Sequence, residues 1–518
     1  MDKKKVRIGL LLFFIFIGMF LISFILVLPL SVFLLLMSPN IYVFSFLEIV
    51  FFMGIVFLLI SLCFRKILFK NVSFRELIFT IIGIMVFSLF FHGIINLKAS
   101  HDVNKAIAEA TANGIKLKFQ EMIPPPVPNN KNAALLYKQA FNLEKKLNVR
   151  YLQEWKYMPY DSLIPLKKIT AKQKKTILKV MKDPEFVQFY NLIKDAEKLP
   201  YCRFDIYYKN ILLSSPFNHL TEMREIARLI AARTYLLTWE DNYRQAFESV
   251  KEGLLLGNSL SNEPILISQM VRVAIDEIGI ESAKRFINNP HVSLSINDYK
   301  NLMSIINKKN TFFLGNALNG EIVFFGKYIL NFKSQLDRSY SLLKSHPFKS
   351  YLYIIGTKIF LKLTRPIFKE DYVFYLRTMS KLIVYSNKPY FLIKNNIDNL
   401  SKHINHLKNN KIQSIKYIFT IMTFPAYKET FNLQAVYTAD CDILKIILGL
   451  RIYKQKFGYY PDNLNLLSPG IITKLPVDPF TGKNFIYRKK GSGFIIYSAG
   501  LNFNSKNIDS ELSYDSSH

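Results

Sequence analysis

The chain has 518 residues, enough for two or three domains, and half of them are hydrophobic. Its 68 Lys and Arg against 38 Asp and Glu give a formal net charge of +30, which excludes an acidic solvating chain and suits anionic partners. The three cysteines, Cys63, Cys202 and Cys441, include no CxxC pair, so zinc-ribbon and thioredoxin-type motifs are excluded.

The apolar excess is concentrated before residue 98. Residues 8–36 carry no charge and, at about 1.5 Å rise per residue, outrun a hydrocarbon core of about 30 Å. The run is too long for a signal-peptide core and no small-residue cleavage site follows it. Ser38-Pro39-Asn40 makes a short turn into residues 41–64, where Glu48 is the one charge. Residues 77–97 form a third run free of Asp, Glu, Lys and Arg. The expectation is an anchor of three transmembrane helices over residues 1–98. Lys3, Lys4, Lys5 and Arg7 before the first run, and Arg65, Lys66, Lys70 and Arg75 after the second, place the N-terminus in the cytoplasm. Everything after about residue 98 is then expected outside the cytoplasm, held at the inner or plasma membrane. Glu48, about two turns from a loop, reads as structural. Of the net charge, +24 falls beyond residue 98, which suits anionic lipid or wall polymer; scattered Lys on a solvated face is the plainer account.

Residues 99–131 read as a membrane-proximal helix followed by a stiff spacer, because Pro124-Pro125-Pro126 and Pro128 favour an extended polyproline segment. From 132 to 424 the dominant period is helical. Ile226, Leu229, Ile230, Leu236 and Leu237 form one stripe, Asp241-Asn242 interrupts, and Ala246, Phe247, Val250 and Leu254 form a second. The spacing predicts an αα-hairpin. Tyr243-Arg244-Gln245-Ala246-Phe247 is tetratricopeptide-like, but no 34-residue period supports an array, so an irregular helical body is preferred. Residues 351–363 read as a short core or interfacial helix, and residues 388–416 as an exposed helix or a mobile connection.

The pattern changes after Pro425. A long helix is expected over residues 427–457, ended by Gly458-Tyr459-Tyr460-Pro461. Asp478-Pro479 and Thr481-Gly482 are turn chemistry. Strands are expected over 484–488 and 494–498, joined by a hairpin turn at Lys490-Gly491-Ser492-Gly493. The fold class expected overall is mainly α, with a small α+β module over 425–518 built on an antiparallel sheet. These residues carry a resemblance. Tyr453, Gly458-Tyr459-Tyr460-Pro461, Leu475-Pro476-Val477-Asp478-Pro479-Phe480, Tyr487-Arg488 and the Phe494, Tyr497, Ser498, Gly500 set occur in the order found in the C-terminal half of type II secretion major pseudopilins. The stretch over about 440–505 resembles that family. Its leader pattern is missing, since no Phe-Thr-Leu-Ile-Glu sequence follows Gly9 or Gly18, so pilus assembly is not implied. The family's Asp-Gly calcium loop is replaced by Leu501-Asn502-Phe503-Asn504; Asp509 and Glu511 nearby do not make a calcium set. The chain after residue 98 also resembles bacterial membrane-anchored helical proteins that join a helical body to this module.

No catalytic constellation is complete. His403-x-x-His406 has a spacing metals use, but no Cys or carboxylate completes a set. Asp440 and Asp442 flank Cys441 and would raise its thiol pKa rather than activate it. Walker, dinucleotide, Gly-x-Ser-x-Gly and HExxH patterns are absent. The expectation is no catalytic, cofactor-binding or metal residue, no cofactor and no nucleic-acid partner. The function expected is a non-enzymatic scaffold or accessory protein of the cell envelope, partnered by membrane and by secretion or pilus-like machinery. An envelope enzyme with a site in the helical body, or a binder of anionic lipid or wall polymer, are the alternatives.

Overall fold

The computed structural model describes residues 74–151, 170–208, 211, 217–309, 311, 313–330, 347–500 and 513–515. The chain is mainly helical with one small antiparallel sheet. It divides into two compact units. The first holds residues 1–109, 326–377 and 405–422; the second holds 110–325, 378–404 and 423–518.

The expected membrane anchor is corrected here. Among the described residues no helix is long and apolar enough to cross a membrane. The expected integral membrane protein, and the orientation and location read from it, are not supported by the described residues. The expected third span sits inside a longer helix, α1 (Phe74–Ala112), which runs on without a break through Lys98, Asp102, Lys105 and Glu109. Lys369 donates to Asn96 Oδ1 at 2.7 Å and to Ser100 Oγ at 2.6 Å, so the helix is tied by polar contacts where the span was to end. Arg377 grips Glu109 two turns later, with Nε 2.9 Å and Nη2 3.2 Å from its carboxylate. The apolar run before these contacts shows Phe87, Leu89, Phe90 and Phe91 more than half exposed. Residues 8–36 and 41–64, with Glu48 and Cys63, lie outside the described residues, as do Asp509 and Glu511.

In the second unit, α2 (Ala133–Arg150) opens at Asn132, whose side chain accepts from Ala134 N–H. α3 (Ala171–Met181) starts on a capping box made by Thr170 and Gln173. α4 (Pro184–Glu197) begins at Asp183 with Pro at its first position, where the missing N–H costs nothing. These helices bury Tyr137, Phe141, Phe186, Phe189 and Ile193 in one core.

The expected αα-hairpin is α5 (Asn218–Trp239) and α6 (Tyr243–Leu256). Asp241 takes the left-handed conformation at the turn (φ 58°) and Asn242 caps α6 through Gln245 N–H. α7 (Leu266–Asn288) crosses α6 where Gly253 and Gly279 face each other. α8 (Ile296–Asn307) opens on a Ser295–Asp298 capping box, and α9 (Leu314–Glu321) leads into a π-helical turn over Ile322–Gly326.

Glu321 is buried and accepts the Leu266 N–H at 3.3 Å, capping α7 from a distant point in the chain. Burial pushes its carboxyl up to about 8. The folded state therefore holds a proton that the unfolded state releases near the ordinary carboxylate range. Its contribution is intact below that range and is lost as pH rises from there through about 8. Glu321→Gln keeps the acceptor and removes the titration. It is expected to be near neutral at pH 5 and stabilising by on the order of 1–2 kcal/mol at pH 9, measured by urea unfolding at both pH values.

Three long helices follow: α10 (Pro347–Ser386), α11 (Tyr390–Asn409) and α12 (Ile418–Phe457). The stretch over 388–416 is mainly helical, and α12 begins nine residues before the expected start. Pro425 lies inside α12, where it deprives the Ile421 carbonyl of its usual donor. Ile421 and Phe424 are buried beside it, so packing outweighs the local penalty. At its start, Asp371 accepts from Phe419 N–H at 2.8 Å and from Thr420 Oγ1 at 2.6 Å within the first unit.

The sheet comprises β1 (Ile486–Lys490), β2 (Gly493–Tyr497) and β3 (Ser513–Asp515), antiparallel in the order β1-β2-β3. Lys490 pairs with Gly493, leaving the two-residue loop Gly491-Ser492. Gly491 alone there has positive φ (55°), the demand of a type II′ turn on its first central residue.

Candidate functional site

Two of the residues singled out in the C-terminal module, Phe480 and Ser498, meet on the side chain of a third, Asp478. Asp478 is 1% exposed. Its Oδ1 accepts from Phe480 N–H and Ser498 Oγ, both at 2.9 Å, and its Oδ2 accepts from Ala499 N–H at 2.9 Å. The turn after α12 is thereby locked to the end of β2. Thr481 and Gly482 N–H both point back to the Asp478 carbonyl, and Gly482 takes positive φ (70°). A Cβ on Gly482 would meet the Phe391 ring at 2.7 Å, so the turn seats directly on α11. Phe391 N–H donates to Pro479 O at 2.9 Å at the same place.

The Gly458-Tyr459-Tyr460-Pro461 element is held as firmly. Gly458 (φ 86°) ends α12, and its N–H returns to Lys454 O at 2.8 Å. Tyr460 is buried edge-on against Phe494, ring centroids 4.8 Å apart. Tyr487 Oη donates to Pro461 O at 2.8 Å, and burial pushes the Tyr487 hydroxyl up to about 12.

This frame turns aromatic and cationic groups outward. Phe457 is 54% exposed and Tyr459 57% exposed. Tyr453 links them, its ring centroid 4.5 Å from Phe457 and 6.0 Å from Tyr459. Lys489 Nζ lies 5.8 Å from the Tyr459 ring centre and 2.5 Å from Asp462 Oδ1. Lys454 Nζ lies 4.7 Å from the Tyr460 ring centre, and Lys456 and Arg488 are exposed nearby in the chain.

The helical body carries its chemistry inside, in a set that sequence reasoning missed. Asp276 of α7 is fully buried. It accepts from Lys309 Nζ and from Tyr437 Oη, the latter at 2.7 Å, and Arg272 Nε stands 3.8 Å away. Arg272, itself 1% exposed, donates to Gln269 Oε1 at 3.0 Å and lies over the Phe313 ring. Two cations thus surround one carboxylate in a dry interior. Only Arg272 and Asp276, four residues apart on one helix, gave a local signal. Nearby in sequence, Asp440 is paired to Lys284 at 2.8 Å. His219 Nε2 lies 3.1 Å from Glu263 Oε1, another pair with no local signature.

Cys441 is buried, and burial first, then the Asp276 charge, pushes its thiol well above the ordinary range. Burial likewise pushes Asp442 up to about 7. Cys202 and Cys441 are both free thiols. His403 and His406 are exposed on α11, and among the described residues no group of three His, Cys, Asp or Glu is arranged to hold a metal ion.

No family model, no curated protein and no solved structure matches this chain.

Proposed function

We propose that this chain is a non-enzymatic scaffold or accessory protein whose C-terminal module docks a partner protein. The observation that carries the reading is the contrast between the two polar sets. The carboxylates Asp276 and Asp440 are paired with Lys309 and Lys284 inside the protein. The aromatic and cationic groups at Phe457, Tyr459 and Lys456 face outward from a frame braced by Asp478. Protein interfaces favour that combination of aromatic side chains on a pre-organised surface. The resemblance of residues 440–505 to pseudopilins supports a partner drawn from secretion or pilus-like machinery.

The test is a photo-crosslinking benzoylphenylalanine placed at position 459 of the full chain in its native host, beside a control at Val149, which is 80% exposed on α2. The reading expects a discrete protein adduct from position 459 and none from position 149. Equal labelling at both positions, or no protein adduct at 459, would sink it.

A second reading, binding of anionic lipid or wall polymer, draws on the +30 net charge. Sedimentation of the full chain with phosphatidylglycerol vesicles, abolished at high salt, is what it expects. Vesicle binding that salt leaves unchanged would remove the electrostatic basis.

A further inference from the structure

We infer that the surface formed by Tyr453, Phe457, Tyr459 and the cations Lys454, Lys456 and Lys489 binds an acidic segment of a partner protein, anchored by an aromatic or apolar side chain. This rests on the docking role proposed above and specifies the partner's chemistry.

Three observations converge. First, the rings make a continuous ledge: Phe457 and Tyr459 both pack on Tyr453, which is itself buried. Their outer faces are more than half exposed, so an apolar anchor laid on them removes ring surface from water on both sides of the contact. Second, the charges bordering the ledge are mostly positive. Lys454 and Lys456 come from the last turn of α12, and Lys489 from β1 reaches over Tyr459. Among the described residues Asp462 is the acid paired with them, 2.5 Å from Lys489, which leaves the cations in excess. Two lysines at a helix C-terminus offset its dipole, but Lys489 belongs to a strand and is not accounted for that way. Third, the ledge cannot collapse when a partner leaves. Gly458 is fixed by its bond to Lys454 O, Tyr460 is wedged on Phe494, and Tyr487 holds Pro461. A ledge of fixed rings loses little conformational entropy on binding, which favours affinity from a short segment. A cationic rim steers an acidic chain and repels a basic one.

The experiment uses the purified full chain and two fluorescein-labelled synthetic peptides, one alternating Glu with Phe and Leu, the other the same with Lys in place of Glu. Fluorescence anisotropy is expected to show the acidic peptide binding at least about tenfold more tightly than the basic one. Lys454→Glu with Lys456→Glu should weaken the acidic peptide by about tenfold or more. Phe457→Ser with Tyr459→Ser should do the same without changing the far-ultraviolet circular dichroism. The matched control, Lys172→Glu with Lys175→Glu on exposed α3, alters net charge identically and should leave binding unchanged within about twofold.

Equal binding of the two peptides, or equal losses in the surface and control variants, would overturn the inference. So would binding of phosphatidylglycerol vesicles that is lost in the surface variants while neither peptide binds. A specific protein adduct at position 459, together with any of these results, would leave the docking role standing and remove only the acidic segment.

Discussion

Asp276→Asn is expected to destabilise the second unit by about 3–5 kcal/mol, read as a drop in the urea midpoint of the full chain at pH 7. The substitution keeps the size and one acceptor of the side chain. What it removes is the counter-charge for Lys309 and Arg272, both of which sit in an interior with almost no access to water. A buried cation without its partner costs far more than a lost neutral hydrogen bond. The comparison variants set the scale. Tyr437→Phe deletes one donor to Asp276 and should cost about 1 kcal/mol. Lys309→Met deletes one of two cations and leaves Asp276 with Arg272 and Tyr437, so its effect should fall in between. Should Tyr437→Phe prove the most damaging of the three, charge compensation is not what holds this junction together.

The second large effect is expected at the crossing of α6 and α7. A Cβ on Gly279 would stand 2.5 Å from Gly253 O, 2.8 Å from its carbonyl carbon and 3.2 Å from Leu254 N. All three are backbone atoms, so no side chain can swing aside and the helices must move apart. Gly279→Ala should therefore cost about 1–3 kcal/mol or more, although alanine is the better helix former. Its facing glycine gives the contrast. A Cβ on Gly253 meets Ile230 Cγ2 at 3.4 Å and Gly279 Cα at 3.7 Å, an ordinary contact. Gly253→Ala should be near neutral, with a propensity gain of up to about 1 kcal/mol offsetting slight crowding. Thermal melts of the two variants side by side decide this: similar losses in both would mean the crossing is not set by the closeness at Gly279.

Where structure depends on neighbours in the chain, the sequence was readable. Gly491 announces its hairpin because a two-residue loop needs positive φ, and the stripes flanking Asp241-Asn242 announce two packed helices. Where it depends on distant partners, the sequence was mute. Asp276 meets Tyr437 across 161 positions and Lys309 across 33, and no local pattern joins them. Glu321 caps a helix that begins 55 residues earlier. Pro425 reads as a helix boundary by local rules, yet the buried side chains before it carry α12 through. Residues 77–97 show the opposite failure. Composition there resembles a membrane span, but the helix continues into charged turns that are bonded to α10. For the outward-facing surface, Tyr459 was visible within Gly458-Tyr459-Tyr460-Pro461, and Lys489 only as one more lysine of the chain. Their stacking was not, because it needs the hairpin to return across the end of α12.

The socket at Gly482 has a consequence for how this module could travel between proteins. Its turn rests on Phe391 and bonds to Phe391 N–H, and Tyr390 packs edge-on against Phe480, ring centroids 5.6 Å apart. Farther along, Lys284 grips Asp440 and Gln455 donates to Leu294 O at 3.1 Å. A piece excised at residue 425 and fused elsewhere would arrive with its hairpin intact. It would also bring an uncovered seat for an aromatic ring and an uncompensated carboxylate at Asp440. To be portable, the unit must bring along the start of α11 and the last turns of α7, so the smallest graft that keeps its shape is discontinuous in the chain.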